Sequence, residues 1–464
     1  MKLRHRALGI ALSAGLLAGP GGAQLLPAPA PLPKPAAPQP ASTPTGPTRN
    51  DIMAARATPA RRVVLPNGMV VLLKESPAHD FVAIELLCQV GLQNEDSPNA
   101  GLIALWEKLL QDRLDDALAE QYRVVSKSVA IEPDFLRFSV VGPSKDAPAM
   151  VDALSTIVAD STYDETVVAK KRKILKDEIV NGGGPNNQLY SVFRVLFYRY
   201  HPYKRQHTGG TLALERVNAS VLSDFHKKYL VPNRLVMAVV GRFPRVETED
   251  ELKAAFGPLK ANVTNDLTVA WEPKAEEKRI DLNTGADLGW VLVGYHAPTS
   301  SSEDHIPMMV IRAILSEGLS SRLFNEIREK KGLSYTIASI HPDLKGPGHF
   351  LTYVVTKPAD VGKVRRDIIK QVEILRKELL PPDELAAAKE KVRGGFLLES
   401  ETVQGTAFRL ARSESIGLGY LYEENFEKNL QKVTAQELRR VAETYLVEPT
   451  IIIARPAGRF YFDG

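Results

Sequence analysis

The chain has 464 residues, of which 44% are hydrophobic and 25% are charged, and this composition is ordinary for a globular protein with a large core. At roughly 150 residues per domain, the length predicts two to four domains. The net charge of +4 is small for such a length, so the composition argues against a basic nucleic-acid-binding protein, and we expect no nucleic-acid partner.

The N-terminal segment, Met1 to Ala23, has the layout of a signal peptide. MKLRHRALGIALSAGLLAGPGGA carries a basic start, an apolar run and a small-residue end, and we predict cleavage after Ala23. A membrane anchor is the weaker interpretation, because the run from Ala7 to Gly19 is shorter than the roughly 20 residues that a bilayer-spanning helix needs. We therefore expect a periplasmic or otherwise exported protein without stable membrane insertion. Residues 24–60 are rich in Pro and Ala and predict an extended linker.

The folded part is predicted to begin at Arg61. RRVVLPNGMVVLLKES reads as two strands joined at Asn67-Gly68, which is a strong hairpin signal, and FVAIELLCQVG reads as a further strand. Ser97 and Pro98 then predict the start of a helix. Further helical patterns cover residues 150–159 and 164–180. Cys88 is the single cysteine, so it cannot form an internal disulfide, and we predict a buried thiol.

An internal repeat divides the folded part. The segment that begins at Val217 (VNASVLSDFHKKYLVPNRLVMAVVG) returns at a constant offset as the segment that begins at Val433 (VTAQELRRVAETYLVEPTIIIARPAG). Asn218 and Thr434 predict helix N-caps, and in each copy an apolar strand follows the helix. We therefore predict two homologous α+β domains, 61–255 and 275–464, in which strands and helices are mixed.

The helix around Glu107 raises a question about metal binding. Leucines and Trp106 recur at helical spacing and predict a buried stripe, while Ala104, Glu107 and Lys108 share another face. In inverted zinc peptidases the sequence His-x-x-Glu-His places two imidazoles and a glutamate in this geometry. Here alanine and lysine replace both histidines, and Lys108 can instead pair with Glu107. Taken alone, this helix is best interpreted as a core helix with an exposed glutamate.

Five stretches, this helix included, change that interpretation, because from Arg61 onward the chain resembles the pitrilysin and mitochondrial-processing-peptidase family. The resemblance rests on LPNGMVVLLKES, NAGLIALWEKLL, KKRKILKDEIV, YHPYKRQHTGG and SSRLFNEIREKKGLSYTIAS. It implies that each domain is a mostly antiparallel sheet packed with helices. It also matches Glu178 to the third zinc ligand of the family. Without the two histidines a lone carboxylate will not hold zinc tightly, so we expect no metal in this chain and expect Glu178 to pair with a lysine such as Lys108.

The last of these stretches matches the C-terminal signature of the family. In that signature an Arg and a Tyr bind the substrate backbone and stabilise the oxyanion, and the resemblance assigns these catalytic roles to Arg328 and Tyr335. A surface ion pair of Arg328 is the alternative interpretation. Some bacterial members of the family resemble two-subunit enzymes in which the zinc chain and the Arg/Tyr chain differ. The resemblance therefore implies a homologous partner subunit that carries zinc, and peptide substrates.

Two other functions stay open. Some relatives are structural subunits without peptidase activity, so this chain could be an inactive structural or peptide-binding scaffold. An independently active peptidase would need a second metal site, yet His296, His305, His341 and His349 lack the spacing of zinc ligands. The Arg328–Tyr335 signature favours the two-subunit enzyme over both alternatives.

Overall fold

A computed structural model describes residues 59–76, 80–95, 100–120, 123–181, 185–206, 208–263, 276–285 and 287–456. The predicted signal peptide and all but the last two residues of the predicted linker lie outside these ranges. The boundary between the two predicted domains also stays a prediction, because residues 264–275 are not among the described residues.

The first sheet has six strands in the order β1-β2-β6-β3-β5-β4. Only the β2–β6 pair is parallel, and the predicted hairpin at Asn67-Gly68 joins the antiparallel pair β1–β2. Gly68 has a φ of 87°, a left-handed conformation that glycine adopts without strain. The strands are β1 (Arg61–Val64), β2 (Val70–Glu75), β3 (Phe81–Cys88), β4 (Ser126–Ile131), β5 (Leu136–Pro143) and β6 (Leu235–Gly241).

The second sheet has five strands in the order β7-β11-β8-β10-β9. Again one pair, β7–β11, is parallel and the others are antiparallel. The strands are β7 (Lys278–Thr284), β8 (Gly289–Ala297), β9 (Ser334–Ile340), β10 (Gly348–Thr356) and β11 (Thr450–Pro456). Two mostly antiparallel sheets packed with helices confirm the predicted α+β fold.

Helices cover both faces of each sheet, which explains why strands such as β3 and β6 are apolar along almost their whole length. The helices are α1 (Leu102–Ala117), α2 (Ala147–Ala159), α3 (Glu165–Asn181), α4 (Pro185–Phe197), α5 (Thr211–Leu214), α6 (Ala219–Tyr229), α7 (Arg245–Phe256), α8 (His305–Ser316), α9 (Val361–Lys377), α10 (Pro382–Glu399), α11 (Val403–Ser415), α12 (Tyr422–Lys432) and α13 (Ala435–Tyr445). No helix in the described ranges is long and apolar enough to cross a bilayer.

The predicted start of α1 was wrong. Ser97 and Pro98 lie outside the described residues, and the helix begins at Leu102 after Gly101, whose φ is 97°. Glu95 acts as the capping residue, because its Oε1 accepts hydrogen bonds from the backbone N–H groups of Gly101 (3.1 Å) and Ile103 (2.8 Å). A carboxylate that lies earlier in the chain thus accepts hydrogen bonds from two N–H groups at the start of this helix.

The internal repeat is confirmed in three dimensions. Asn218 accepts a hydrogen bond from the Val221 N–H and caps α6, and Thr434 accepts one from the Glu437 N–H and caps α13. Each capped helix leads into the strand that pairs in parallel with β2 or β7. The prediction of a buried thiol is confirmed too, because Cys88 is fully buried and its Sγ lies 3.2 Å from the Tyr229 carbonyl oxygen.

Each half gives one helix to the other half's sheet. Helix α4 of the first half packs on the second sheet, where Phe193 and Phe197 join a core with Trp290 and Leu292. Helix α11 of the second half packs on the first sheet in the same way, and its residues 407, 410 and 411 contact apolar side chains of β2, β3 and β6. The two halves therefore share two of their hydrophobic cores.

Candidate functional site

The apolar face of α1 is buried as the spacing predicted. The stripe residues Leu102, Leu105, Trp106, Leu109 and Leu110 are all at most 4% exposed. A buried tryptophan needs a partner for its indole N–H. Trp106 donates to the Tyr163 hydroxyl at 2.6 Å, so this helix is held by a hydrogen bond as well as by packing.

This hydrogen bond begins a buried chain of donors and acceptors. The Tyr163 hydroxyl donates to His226 Nδ1 at 2.8 Å, and His226 Nε2 donates to the Val158 carbonyl oxygen at 3.0 Å. The chain is complete only when His226 is neutral with its proton on Nε2. Burial lowers the pKa of His226 from 6.5 to about 4, which keeps that form at neutral pH.

The three positions matched to zinc ligands do not carry side chains that could together bind zinc. Ala104 is 2% exposed and packs in the first core. Lys108 Nζ lies 3.0 Å from Glu178 Oε1 and 2.9 Å from Glu178 Oε2. The expected pairing of Glu178 with Lys108 is therefore confirmed, and it links α1 to α3. Alanine has no donor and the ammonium is engaged, so these residues do not fit a zinc ion.

Glu107 differs from both sequence-based interpretations. It is half-buried rather than exposed, and the lysine next to it pairs with Glu178. Burial raises the pKa of the Glu107 carboxyl, against the opposing effects of Lys108 and a hydrogen bond from the Ile131 backbone. Within the described ranges no group of three or more His, Cys, Asp or Glu side chains is placed to hold a metal.

Arg328 and Tyr335 lie together at the start of edge strand β9. Residues Phe324–Glu329 form a short π-helix, and after Gly332 (φ 61°) the chain turns into the strand. The Cζ atom of Arg328 lies 5.3 Å from the centre of the Tyr335 ring. Tyr335 is 85% exposed, and Arg328 makes a long ion pair of 3.8 Å with Glu329. Both side chains thus face solvent with hydrogen-bond donors available.

The sequence-based reasoning missed the residue that orients Arg328. The guanidinium also lies over the Phe324 ring, 4.7 Å from its centre, so two aromatic rings hold it. Phe324 and Arg328 are four residues apart, which is the spacing of neighbours on a helix and was a usable signal.

The His-Pro-Tyr segment ties the two halves together. The Tyr203 hydroxyl donates a hydrogen bond to Asp134 and accepts one from the Gly346 N–H at 3.0 Å. The Lys345 N–H donates to the other oxygen of Asp134 at 2.8 Å. Burial raises the pKa of the Asp134 carboxyl, although these hydrogen bonds oppose the shift. Tyr203 and Asp134 are thus buried links between the halves.

Two histidines that look scattered in the sequence are neighbours in the fold. His341 Nε2 lies 3.2 Å from His305 Nδ1, and His305 Nε2 lies 3.0 Å from Asp343 Oδ1. His349 lies on another strand, where Tyr190 and Tyr198 bind its ring nitrogens. The contact between His341, which follows β9, and His305 at the start of α8 could not be read from spacing, because the two histidines are 36 residues apart.

Comparison with known proteins finds zinc proteases that are similar along most of this chain. The family model described as the peptidase M16 inactive domain matches residues 216–392. An uncharacterized zinc protease of Mycobacterium bovis is 26% identical over 422 residues, which cover 86% of this chain and 94% of that protein. The zinc protease PqqE of Helicobacter pylori is 23% identical over 419 residues, which cover 85% of this chain and 92% of that protein.

Solved structures share the fold. A crystal structure of a protease from Helicobacter pylori has a TM-score of 0.78 at 20% identity and covers 86% of this chain and 100% of that one. A crystal structure of a peptidase M16 inactive domain from Pseudomonas fluorescens has a TM-score of 0.77 at 17% identity, and it covers 86% of this chain and 98% of that one. With these relatives along most of its length, the chain is similar to the M16 (pitrilysin) peptidases, and the segment that resembles their zinc motif lacks both histidines.

Proposed function

We propose that this chain is the non-zinc subunit of an exported, periplasmic two-subunit zinc metalloendopeptidase. Arg328 and Tyr335 bind the backbone of a peptide substrate and stabilise the oxyanion, and a homologous partner subunit holds the zinc ion at which hydrolysis takes place. This chain alone has no peptidase activity.

The pair of Arg328 and Tyr335 carries the proposal. A guanidinium and a phenol both donate hydrogen bonds to a carbonyl oxygen that gains negative charge in the transition state. In this structure the two groups lie side by side, and the phenol is 85% exposed. A side chain so exposed adds little to the stability of its own chain, which favours a role toward another molecule.

The first half supports the division of labour. Its matched zinc positions hold alanine and an engaged lysine, so a zinc site in the assembly has to come from another chain. The description of the matching family model as an inactive domain, and the zinc-protease names of the full-length relatives, agree with this reading.

The test is reconstitution. The purified mature chain is assayed for zinc by elemental analysis and for cleavage of a fluorogenic peptide library, alone and with a homologous subunit that carries an intact His-x-x-Glu-His motif. We expect no stoichiometric zinc and no cleavage by the chain alone, and cleavage by the mixture. Zinc at one per chain together with activity of the isolated protein would contradict the proposal.

Variants then test the two residues. Arg328→Ala and Tyr335→Phe should lower kcat of the mixture by about 10²-fold or more, as loss of an oxyanion donor does. Lys330→Ala is the matched control, because Lys330 lies two residues away and pairs with Glu326 at the surface. A reconstituted enzyme that both variants leave unchanged would favour the structural or peptide-binding scaffold instead.

A further inference from the structure

The second half contains a cavity of about 380 Å³ between helices α8 and α10, which α11 and α12 close. We call it the second-half cavity. Its polar wall includes His305, Arg312, Asp343, Lys391, Arg412 and Tyr422. Its apolar wall includes Met309, Val392, Phe396 and Phe426, the last two stacked with ring centres 3.7 Å apart. This volume lies within the range of small-molecule sites, about 300–1,000 Å³.

By the internal repeat, this cavity in the second half is equivalent to the region of the degenerate zinc motif in the first half. Strands β3 and β8 have partners that the repeat relates to each other. In the first half Leu87 pairs with Val236, and in the second half Leu292 pairs with Ile452. The separation between Val236 and Ile452 is the offset of the repeat. The helices that follow these two strands, α1 and α8, are therefore equivalent. Helices α3 and α10 are equivalent too, since each is the second helix after the antiparallel strands β5 and β10. The gap between α8 and α10 thus corresponds to the gap between α1 and α3.

The two gaps differ in how they are filled. In the first half the ion pair of Lys108 and Glu178 bridges the helices. In the second half the position that matches Glu178 at the offset of the repeat is Gly394, and Gly395 follows it. At both glycines an added Cβ atom would meet nothing within 4 Å. Gly395 lines the cavity, and neither glycine brings a side chain into the gap that Glu178 bridges in the first half.

Three arginines line this cavity: Arg409 is bound to Phe396, Ser400 and Glu423, whereas Arg312 and Arg412 have N–H donors without a partner among the described residues. Arg312 directs Nη2 to Glu317 at 2.7 Å, and Arg412 directs Nη2 to Asp343 at 2.9 Å. A guanidinium has five N–H donors. In both side chains the Nε atom is buried without a hydrogen-bond partner. One ion pair each leaves most of these donors without an acceptor in the described part of the chain.

Two further donors line the same space. Neither the Lys391 ammonium nor the Tyr422 hydroxyl has a hydrogen-bond acceptor among the described residues. Burial raises the pKa of Tyr422, so its phenol remains a donor at neutral pH.

Most of the acceptors that face these donors are already engaged, and the other carboxylate of the lining, Glu399, is exposed to solvent. His305 and Arg412 bind the two oxygens of Asp343. Burial alone would raise the pKa of Asp343, but the hydrogen bond from His305 and the charge of Arg412 outweigh it and hold the pKa well below its usual range. Asp343 is therefore ionised and has one partner at each oxygen, and Glu317 is paired with Arg312. The cavity offers more donors than acceptors beside an apolar wall.

We propose that the second-half cavity is a binding site for a small organic carboxylate. The carboxylate oxygens accept hydrogen bonds from Arg312, Lys391 and Arg412, in the manner of other charge-assisted pairs, and the apolar part of the ligand packs against Phe396 and Phe426. This inference does not depend on the proposed peptidase function. Arg412 lies on α11, so a bound ligand also contacts the helix that packs on the first sheet.

The probe is benzoate, with benzamide as its uncharged counterpart of the same shape, measured on the mature chain by calorimetry and thermal unfolding. We expect saturable benzoate binding that raises Tm, and no effect of benzamide at equal concentration. Equal binding of both compounds, no benzoate binding at millimolar concentration, or binding of inorganic phosphate as tight as that of benzoate would each overturn the assignment.

Variants locate the binding. Lys391→Gln and Arg312→Gln should each weaken benzoate binding about tenfold or more, because each removes a charge-assisted hydrogen bond. Lys389→Gln is the matched control on the same helix, since Lys389 donates to the Gln431 carbonyl oxygen outside the cavity wall. The same loss of affinity in Lys389→Gln and Lys391→Gln would contradict the site. If Arg312→Gln does not fold, the comparison of Lys391→Gln with Lys389→Gln still tests whether benzoate binds in the cavity.

Discussion

Lys108 and Glu178 form an ion pair of 2.9 Å at two of the positions that the family resemblance matches to zinc ligands. This charged pair links α1 to α3. The Glu178 side chain is 52% exposed and that of Lys108 is 29% exposed, so water screens this link.

We expect the ion pair to contribute little to stability. In a double-mutant cycle with Lys108→Ala and Glu178→Ala, the coupling should be about 0.2–1 kcal/mol, the range of solvent-exposed pairs. Urea unfolding of the four proteins at low and high salt measures it. A coupling above about 2 kcal/mol, or one that salt leaves unchanged, would contradict this assignment.

The two residues proposed to stabilise the oxyanion should be dispensable for folding. Because Tyr335 is 85% exposed and Arg328 makes only a long ion pair and two exposed ring contacts, Arg328→Ala and Tyr335→Phe should each change the free energy of unfolding by less than about 1 kcal/mol. Ile327→Ala is the control on the same short helix, since Ile327 is fully buried and its truncation should cost about 2–5 kcal/mol. Large destabilisation by the first two variants would indicate a structural role.

Stability should fall when the pH drops below about 6.5. His226 has its ordinary pKa of 6.5 in the unfolded chain and about 4 in the folded one, so the unfolded state takes up the proton first. The contribution of neutral His226 is fully present above pH 6.5 and is lost as the pH falls toward 4. Burial also lowers the pKa of His341 and His349 to about 3, which adds to the same trend.

The variant His226→Gln measures how much the protonation of His226 alone contributes to this pH dependence. Its amide can still donate to Val158, but it does not titrate, so the pH dependence should become shallower by up to about 1.4 kcal/mol per pH unit between pH 6.5 and 4. Urea unfolding at pH 7, 6 and 5 compares the slopes. Parallel curves for the variant and the unaltered protein would refute a neutral His226 in the folded state.

Gly294 lies where helix α4 packs on the second sheet. A Cβ atom at this position would lie 2.2 Å from the Phe193 ring, so Gly294→Ala should destabilise the protein by about 1–3 kcal/mol. Adding Phe193→Leu, which removes ring atoms at the point of contact, should recover part of the loss. Thermal unfolding measures both. Additive losses in the double variant would show that the two residues do not compete for the same space.

Local patterns predicted the elements well where neighbouring residues determine them. The hairpin at Asn67-Gly68 and the caps at Asn218 and Thr434 depend on residues within a few positions, and the structure has all three. The start of α1 escaped prediction, because the carboxylate that caps it belongs to Glu95, several residues before the helix. Side-chain patterns alone do not show such a bond.

The parts of the site that depend on long-range packing were not predictable from spacing. Arg328 and Tyr335 are seven positions apart, so a shared motif could place them together. His305 and Asp343 meet only because β9 returns beside the start of α8, and nothing in their spacing indicates it. The second-half cavity likewise follows from glycines on one helix and arginines on two others.

The exchange of α4 and α11 has a consequence for the origin and handling of the chain. Each half on its own would leave one face of its sheet bare and one helix without a surface, so neither half is expected to be stable when expressed alone. Two copies of a single half could satisfy each other by the same reciprocal exchange, which is the arrangement of a domain-swapped homodimer. The fused chain keeps that arrangement within one polypeptide and leaves its halves free to diverge, one with a filled gap and one with an open cavity.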